Sequence, residues 1–234
     1  MVCGSRRAAV EAVSVTESKQ DDNAVASQPA GCLVQRPLDV RSSQSVEAFC
    51  AAVTAEFEAI DMLVNCAGVS LHQTMDGHTE AQWTQVIDTN LNGTYRMIRA
   101  VLPLMINRRW GRIVNIASTA AHVAEPGYAA YCASKAGVLG LTRTVALEGA
   151  AHGVNCVSVS PGWVETPMLL NSAREIAQAS GQPVEQVIDD MRCANPQQRL
   201  VQVTDVAALV AFLCSDAATA LTMEDFQVNA GALW

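Results

Sequence analysis

The 234-residue chain is short of aromatic side chains, at 5%, and of charge, at 16%. It has no run of like-charged residues, and its formal balance of −8 is acidic. An acidic surface repels phosphate backbones and anionic headgroups, so neither nucleic acid nor a membrane is an expected partner. No apolar stretch approaches the roughly 20 residues needed to span a bilayer. Met1-Val2-Cys3 leads into Gly4-Ser5-Arg6-Arg7 rather than an apolar core and cleavage site, so no signal peptide is expected. The eight cysteines (Cys3, Cys32, Cys50, Cys66, Cys132, Cys156, Cys193, Cys214) contain no CxxC pair and sit in apolar contexts. They read as small core residues in a reducing cytoplasm, not as a disulfide framework. His72, His78, His122 and His152 make no ligand-like pair with cysteines or carboxylates, so no metal is expected. Glycine is also scarce at the start: before Gly68 there are only Gly4 and Gly31.

What the chain has is core material, with 50% of its residues hydrophobic. Strand-like and helix-like patterns alternate, which predicts an α/β fold: a doubly wound parallel sheet covered on both faces. Val46, Phe49, Cys50, Val53 and Phe57 fall at helical spacing within 43–57. The run 60–64 (Ile-Asp-Met-Leu-Val) reads as a buried strand, and Thr79 as the N-cap of a helix reaching about Arg108. A strand at 112–117 precedes a long helix from Tyr131 to about Ala151, stopped by His152 and Gly153. Strands at 155–160 and 226–228 flank a helix over 206–214 capped by Thr204-Asp205. Without repeats or linkers, 1–234 reads as one domain, with 1–37 atypical and 169–199 a more polar insertion suited to a substrate lid.

Tyr131 and Lys135 are four residues apart, so on a helix they share a face about 6 Å apart along the axis. A tyrosine working as an acid/base near neutrality must lose roughly three units of pKa, about 4 kcal/mol. One ammonium at about 4 Å supplies energy of that order at an effective dielectric of about 20. By itself the pair is weak evidence, because such spacing is common on ordinary helices. Its neighbours strengthen it. Ser118 closes the strand Ile113-Val114-Asn115-Ile116-Ala117, thirteen residues before Tyr131. Asn65-Cys66-Ala67-Gly68 ends the earlier strand, Asn90 lies in Asn90-Leu91-Asn92-Gly93-Thr94, and Pro161-Gly162-Trp163-Val164-Glu165-Thr166 follows the later one.

From about Leu38 to the C-terminus this set resembles the classical short-chain dehydrogenase/reductases, which implies a single Rossmann-like domain. The resemblance implies an NAD(P)-dependent oxidoreductase that interconverts a secondary alcohol and a ketone. In it Tyr131 moves the proton, Ser118 holds the substrate oxygen, Lys135 tunes the tyrosine and bonds the nicotinamide ribose, and Asn90 carries a linking water. The same resemblance places Asp39 and Val40 beside the adenine, and Asn65, Ala67 and Gly68 on the floor of the cofactor cleft. It sets Pro161, Gly162, Val164 and Thr166 at the nicotinamide carboxamide. Each has an ordinary structural reading as well: Asn65 stitching strands, Ser118 an N-cap and Asn90 a mid-helix polar residue; His122 and Tyr128, between Ser118 and Tyr131, read either as substrate contacts or as loop surface. Trp163 is expected to wall the substrate pocket.

The family pattern also opens with a strand and a Thr-Gly-x-x-x-Gly-x-Gly loop whose backbone N–H groups hold the pyrophosphate at a helix N-terminus. That motif is not in this sequence, and Val2 to Arg7 aligns with the end of the family's second strand. The expectation is a chain lacking the first βα unit, a loss that would strip ladder partners from the strands on either side. Such a chain is expected to hold NAD(P)H no better than about millimolar. If Ser5-Arg6-Arg7 follows the second strand, its guanidiniums suit a 2′-phosphate, so NADP is favoured over NAD. Three readings stay open: an alcohol/ketone oxidoreductase with a misplaced start, a cofactor-free non-catalytic subunit, and an inactive fragment. The substrate is a small alcohol or ketone (a 3-oxoacyl thioester, a cyclic ketone and a sugar all fit). Apolar positions nearly encircling the helix from Tyr131 predict a homodimer or homotetramer.

Overall fold

Ser42 caps the first helix, its hydroxyl accepting the Ser45 N–H in the usual N-cap manner. The computed structural model describes residues 2–4, for their backbone, and 34–232. A three-residue strand β1 (Val2–Gly4) comes first, then α1 (Ser43–Phe57) and β2 (Met62–Asn65). The spacing Val46, Phe49, Cys50, Val53 buries one face of α1, as the sequence pattern requires. Thr79 caps α2 (Glu80–Ile87) in a full capping box with Gln82. A π-helical turn (Asp88–Asn92) then leads into α3 (Gly93–Arg108) and β3 (Gly111–Ile116). The single helix expected from Thr79 to Arg108 is therefore one rod with a widened turn at Asn90.

Beyond a 3₁₀ turn (Thr119–Ala121) come α4 (Ala129–Ala150) and β4 (Val154–Pro161). Gly153 makes the return: its φ is +71°, and a Cβ there would lie 2.6 Å from the Arg109 carbonyl oxygen. The expected insertion is a pair of helices, α5 (Pro167–Ser180) and α6 (Val184–Ala194). Last are α7 (Val203–Cys214) and β5 (Asp225–Val228). The start of α7 lies earlier than the sequence suggests. Gln202, not Thr204-Asp205, is the N-cap, and Asp205 is its capping-box partner.

The sheet order is β1-β2-β3-β4-β5, parallel from β2 onward. Strand β1 runs antiparallel to β2, with Val2 opposite Val64 and Gly4 opposite Met62. The expectation that β2 would be stripped of its outer ladder partner is thus corrected. Three residues of reversed chain stand at that edge and accept the pairing that a parallel strand would otherwise take. Alternation along the strands sends Leu63, Ile113 and Cys156 to a core shared with α1, α3 and α4. Val64, Val114, Val157 and Val159 face the opposite side, where α7 packs. Among the described residues no helix is long and apolar enough to cross a membrane.

Candidate active site

The C-terminal ends of β2, β3 and β4 open onto a cavity of about 820 Å³, lined among others by Gly68, Ser118, Tyr131 and Lys135. Ligand sites in open parallel sheets lie beyond these strand ends, because the loops there diverge and leave a crevice. Ser118 follows β3 in extended conformation and caps the 3₁₀ turn, its hydroxyl accepting the Ala120 N–H at 3.1 Å. This local bond fixes the side chain at the mouth of the strand. Tyr131 and Lys135 come from the first two turns of α4, on the shared face that their spacing requires.

Lys135 is 5% exposed, and its Nζ donates to the Ile116 carbonyl at 2.8 Å. Among the described residues no carboxylate pairs with it. Burial therefore pushes its pKa down to about 8, opposed by the nearby Cys66 thiol. Tyr131 moves the other way: burial raises its pKa, and the nearby Ser118 hydroxyl opposes that rise. The simple expectation was that the ammonium would lower the tyrosine. Here the Nζ lies 5.6 Å from the Tyr131 ring centroid and is turned to a backbone carbonyl, so desolvation governs both groups. Tyr131 is held protonated in this arrangement, the form that can donate a proton.

Asn90 sits in the π-helical turn, a feature that often marks functional sites. Its amide Nδ2 donates to the Val69 carbonyl at 2.9 Å and to Ser134 Oγ at 3.0 Å, and its Oδ1 accepts the Val69 N–H at 2.8 Å. Asn90 is thereby a clamp that ties the turn after β2 to α4. Gly68 lies under that clamp, where a Cβ would come within 3.4 Å of Asn90 Oδ1 and 3.6 Å of Lys135 Nζ. A Cβ there would make ordinary van der Waals contact with both groups, so Gly68 sits directly against the lysine head.

The other candidates divide by position. Gly68, Pro161, Gly162, Val164 and Thr166 line the cavity with Ser118, Tyr131 and Lys135. Asn65 instead points into the sheet, donating to Asn115 Oδ1 at 2.8 Å, which is the strand-stitching alternative. Ala67 packs against the core under α1 and α3. Val40 is buried beside Gly93, and the Asp39 carboxylate is engaged by Arg41 at 3.0 Å, which holds its pKa low. Ser5, Arg6 and Arg7, and most of the atypical segment 1–37, lie outside the described residues.

Several groups at the site carry no sequence signal. The Ile116 carbonyl is a backbone atom, and Ser134 is one small residue among many on α4. His122 is not on the cavity wall. Its Nε2 meets Asp225 Oδ2 at 2.7 Å, while Asp225 Oδ1 accepts from Ser158 Oγ at 2.6 Å and Ser160 Oγ at 2.8 Å. This cluster fastens the loop after Ser118 to β4 and β5. Met168, Leu169 and Ser172 of α5 line the cavity together with Trp163.

Comparison with known proteins agrees with this geometry. Residues 4–232 match the family model described as Enoyl-(Acyl carrier protein) reductase. The D-beta-hydroxybutyrate dehydrogenase of Rhizobium meliloti is 36% identical over 208 residues, covering 88% of this chain and 81% of that protein. The 3-oxoacyl-[acyl-carrier-protein] reductase of Vibrio cholerae is 35% identical over 198 residues, covering 83% and 75%. Among solved structures, an actinorhodin polyketide ketoreductase variant with NADPH superposes with a TM-score of 0.83 at 37% identity, covering 86% of this chain and 77% of that one. Levodione reductase gives 0.82 at 30%, with the same coverages. With the Ser118, Tyr131 and Lys135 side chains gathered at the strand ends, these matches establish that the chain belongs to the classical short-chain dehydrogenase/reductases, NAD(P)-dependent oxidoreductases of alcohols and ketones.

Proposed function

We propose that this chain reduces a small ketone, of the 3-oxoacyl or cyclic type, to a secondary alcohol, with Tyr131 as the proton donor. The observation carrying this is the pair of hydroxyl residues, Tyr131 and Ser118, near enough that Ser118 eases the Tyr131 ionisation and lining a common cavity. A carbonyl oxygen placed between them receives the Tyr131 proton and is steadied by Ser118, which stabilises the charge that develops on it. Asn90 and the Ile116 carbonyl position Gly68 and Lys135 around that point. The cofactor's fit is supported by Lys135, a buried cation whose ammonium has donors to spare for ribose hydroxyls. Gly68 leaves the floor flat, and the Pro161–Thr166 segment would border the nicotinamide. A reduced nicotinamide bound there supplies the hydride that the carbonyl carbon takes up.

NADP(H) is the proposed choice, on the strength of Arg6 and Arg7 in the sequence and the absence of an acidic residue beside them. A cytoplasmic location is in keeping with scattered, unpaired cysteines such as Cys50 and Cys156. Self-association as a homodimer or homotetramer is supported by apolar side chains left at the surface of α3 and α4, where Tyr95 is 48% and Leu147 66% exposed. The test of the chemistry is steady-state ketone reduction with NADPH by the purified chain and by Tyr131→Phe. Loss of the transferable proton is expected to lower kcat by about 10²–10⁴-fold with the fold intact. A variant keeping most of the rate would refute the role given to Tyr131.

A further inference from the structure

Tyr128 stands three residues before Tyr131, at the N-cap of α4, and lines the same cavity. Its ring is wedged edge-on between two others, 5.1 Å from His72 and 6.5 Å from Tyr131 between centroids. The loop bearing it is tied down as well, since the Gly127 carbonyl accepts the Gln73 N–H at 2.7 Å. Tyr128 is 5% exposed, and among the described residues no atom completes a hydrogen bond with its buried hydroxyl. Ser172 of α5 lies close enough to ease its ionisation, against the desolvation that raises its pKa, but not in hydrogen-bonding geometry. A tyrosine used only for packing finds a partner for its hydroxyl when it is buried. This one is held rigidly at a cavity wall with its donor unused.

The charge around it narrows what the donor can meet. Among the described residues lining the cavity, Lys135 is the only cation and Glu125 the only carboxylate. Glu125 and Glu175 both bear on Tyr128 as negative charges. An anionic group at this wall would find repulsion and no counter-charge, whereas a neutral carbonyl would find a pre-placed donor.

We propose that Tyr128 is a specificity-determining residue whose hydroxyl donates to a second, uncharged oxygen of the substrate, an ester, thioester or ketone carbonyl a few bonds from the carbonyl facing Tyr131. This inference rests on the ketone-reductase reading above and names its substrate class: neutral dicarbonyl compounds rather than oxo acids.

The experiment compares the purified chain with Tyr128→Phe, using NADPH and three ketones: ethyl acetoacetate, acetoacetate and cyclohexanone. The wild-type chain is expected to prefer the ester to its free acid. Tyr128→Phe should lower the ratio of kcat/KM for the ester over cyclohexanone by about three- to tenfold, the size of one neutral hydrogen bond, chiefly through KM. Its thermal midpoint should not fall, because no hydrogen bond within the protein is lost, so a misfolded variant cannot imitate the result. An unchanged ratio, or a preference for acetoacetate over its ester, overturns the proposal. If neither protein turns over any of the three, the reductase reading fails on its own account. Binding of ethyl acetoacetate, followed by quenching of tryptophan fluorescence, then decides the inference. Binding weakened threefold or more by Tyr128→Phe supports it, and equal binding overturns it.

Discussion

On one face of the sheet α1, α3 and α4 enclose Leu63, Ile113 and Cys156 completely; on the other, among the described residues, α7 covers Val114, Val157 and Val159 but leaves Val64 and Ile116 on the wall of the cavity of about 820 Å³. The enclosed face is close-packed and sets the height and rotation of α4, and with them the places of Tyr131 and Lys135. The open face contributes unfilled volume, which a bound molecule needs and a stable core does without. The difference teaches that stability and ligand space are divided between the two sides of one sheet, with the candidate site at the boundary.

The sharpest way to break this comparison is to truncate one apolar residue on each side. Leu63→Ala, on the enclosed face, should cost about 2–5 kcal/mol, because the surrounding side chains cannot collapse into the gap. Val210→Ala, on α7 beside the cavity, should cost well under about 1 kcal/mol, since space already adjoins it. Urea denaturation of the two variants measures both, and equal losses would mean that the faces are packed alike.

A smaller effect tests the boundary itself. Burial holds the Lys135 pKa at about 8, below its ordinary 10.5, so unfolding takes up a proton between those values. Stability is therefore expected to rise with pH across roughly pH 8 to 10.5, and the burial penalty is full below pH 8. That penalty is about 3 kcal/mol, offset by about 1 kcal/mol from the bond to Ile116. Lys135→Met should thus stabilise the chain by about 1–2 kcal/mol at pH 7 while abolishing reduction, and its advantage should shrink by pH 10. Urea midpoints at the two pH values read this. A destabilised variant at pH 7 would mean that the lysine is better satisfied than its surroundings indicate.

The smallest expected effect concerns the cluster that holds the Ser118 loop. Asp225→Asn keeps the shape but replaces one carboxylate oxygen with a donor, so it cannot accept from His122, Ser158 and Ser160 together. A loss of about 1 kcal/mol is expected, with a modest fall in kcat as Ser118 loses its anchorage. Unchanged thermal midpoint and rate would show that the cluster is a surface ornament of the loop rather than its fastening.

The sequence by itself determined much of this protein. Helical spacing and caps located α1, the α2–α3 rod, α4 and α7, and short apolar runs located β2 to β5, whereas α5 and α6 were legible only as a polar insertion. The Asn90, Ser118, Tyr131, Lys135 set was legible through its resemblance to a family pattern; spacing alone placed only Tyr131 and Lys135 on one helix face. What pattern could not reveal were contacts whose partners are far apart in the chain or lie on the backbone. The stitching of Asn65 to Asn115, the clamp of Asn90 on Val69, and the turn of Lys135 to Ile116 exist only once strands and helices are packed. The same holds for β1: nothing in Val2-Cys3-Gly4 tells which way it runs, and the free edge of β2 decides that. The pKa directions of Tyr131 and Lys135 also belong to the tertiary structure, because spacing states which charges are near, but only burial states how much water has been removed from around them.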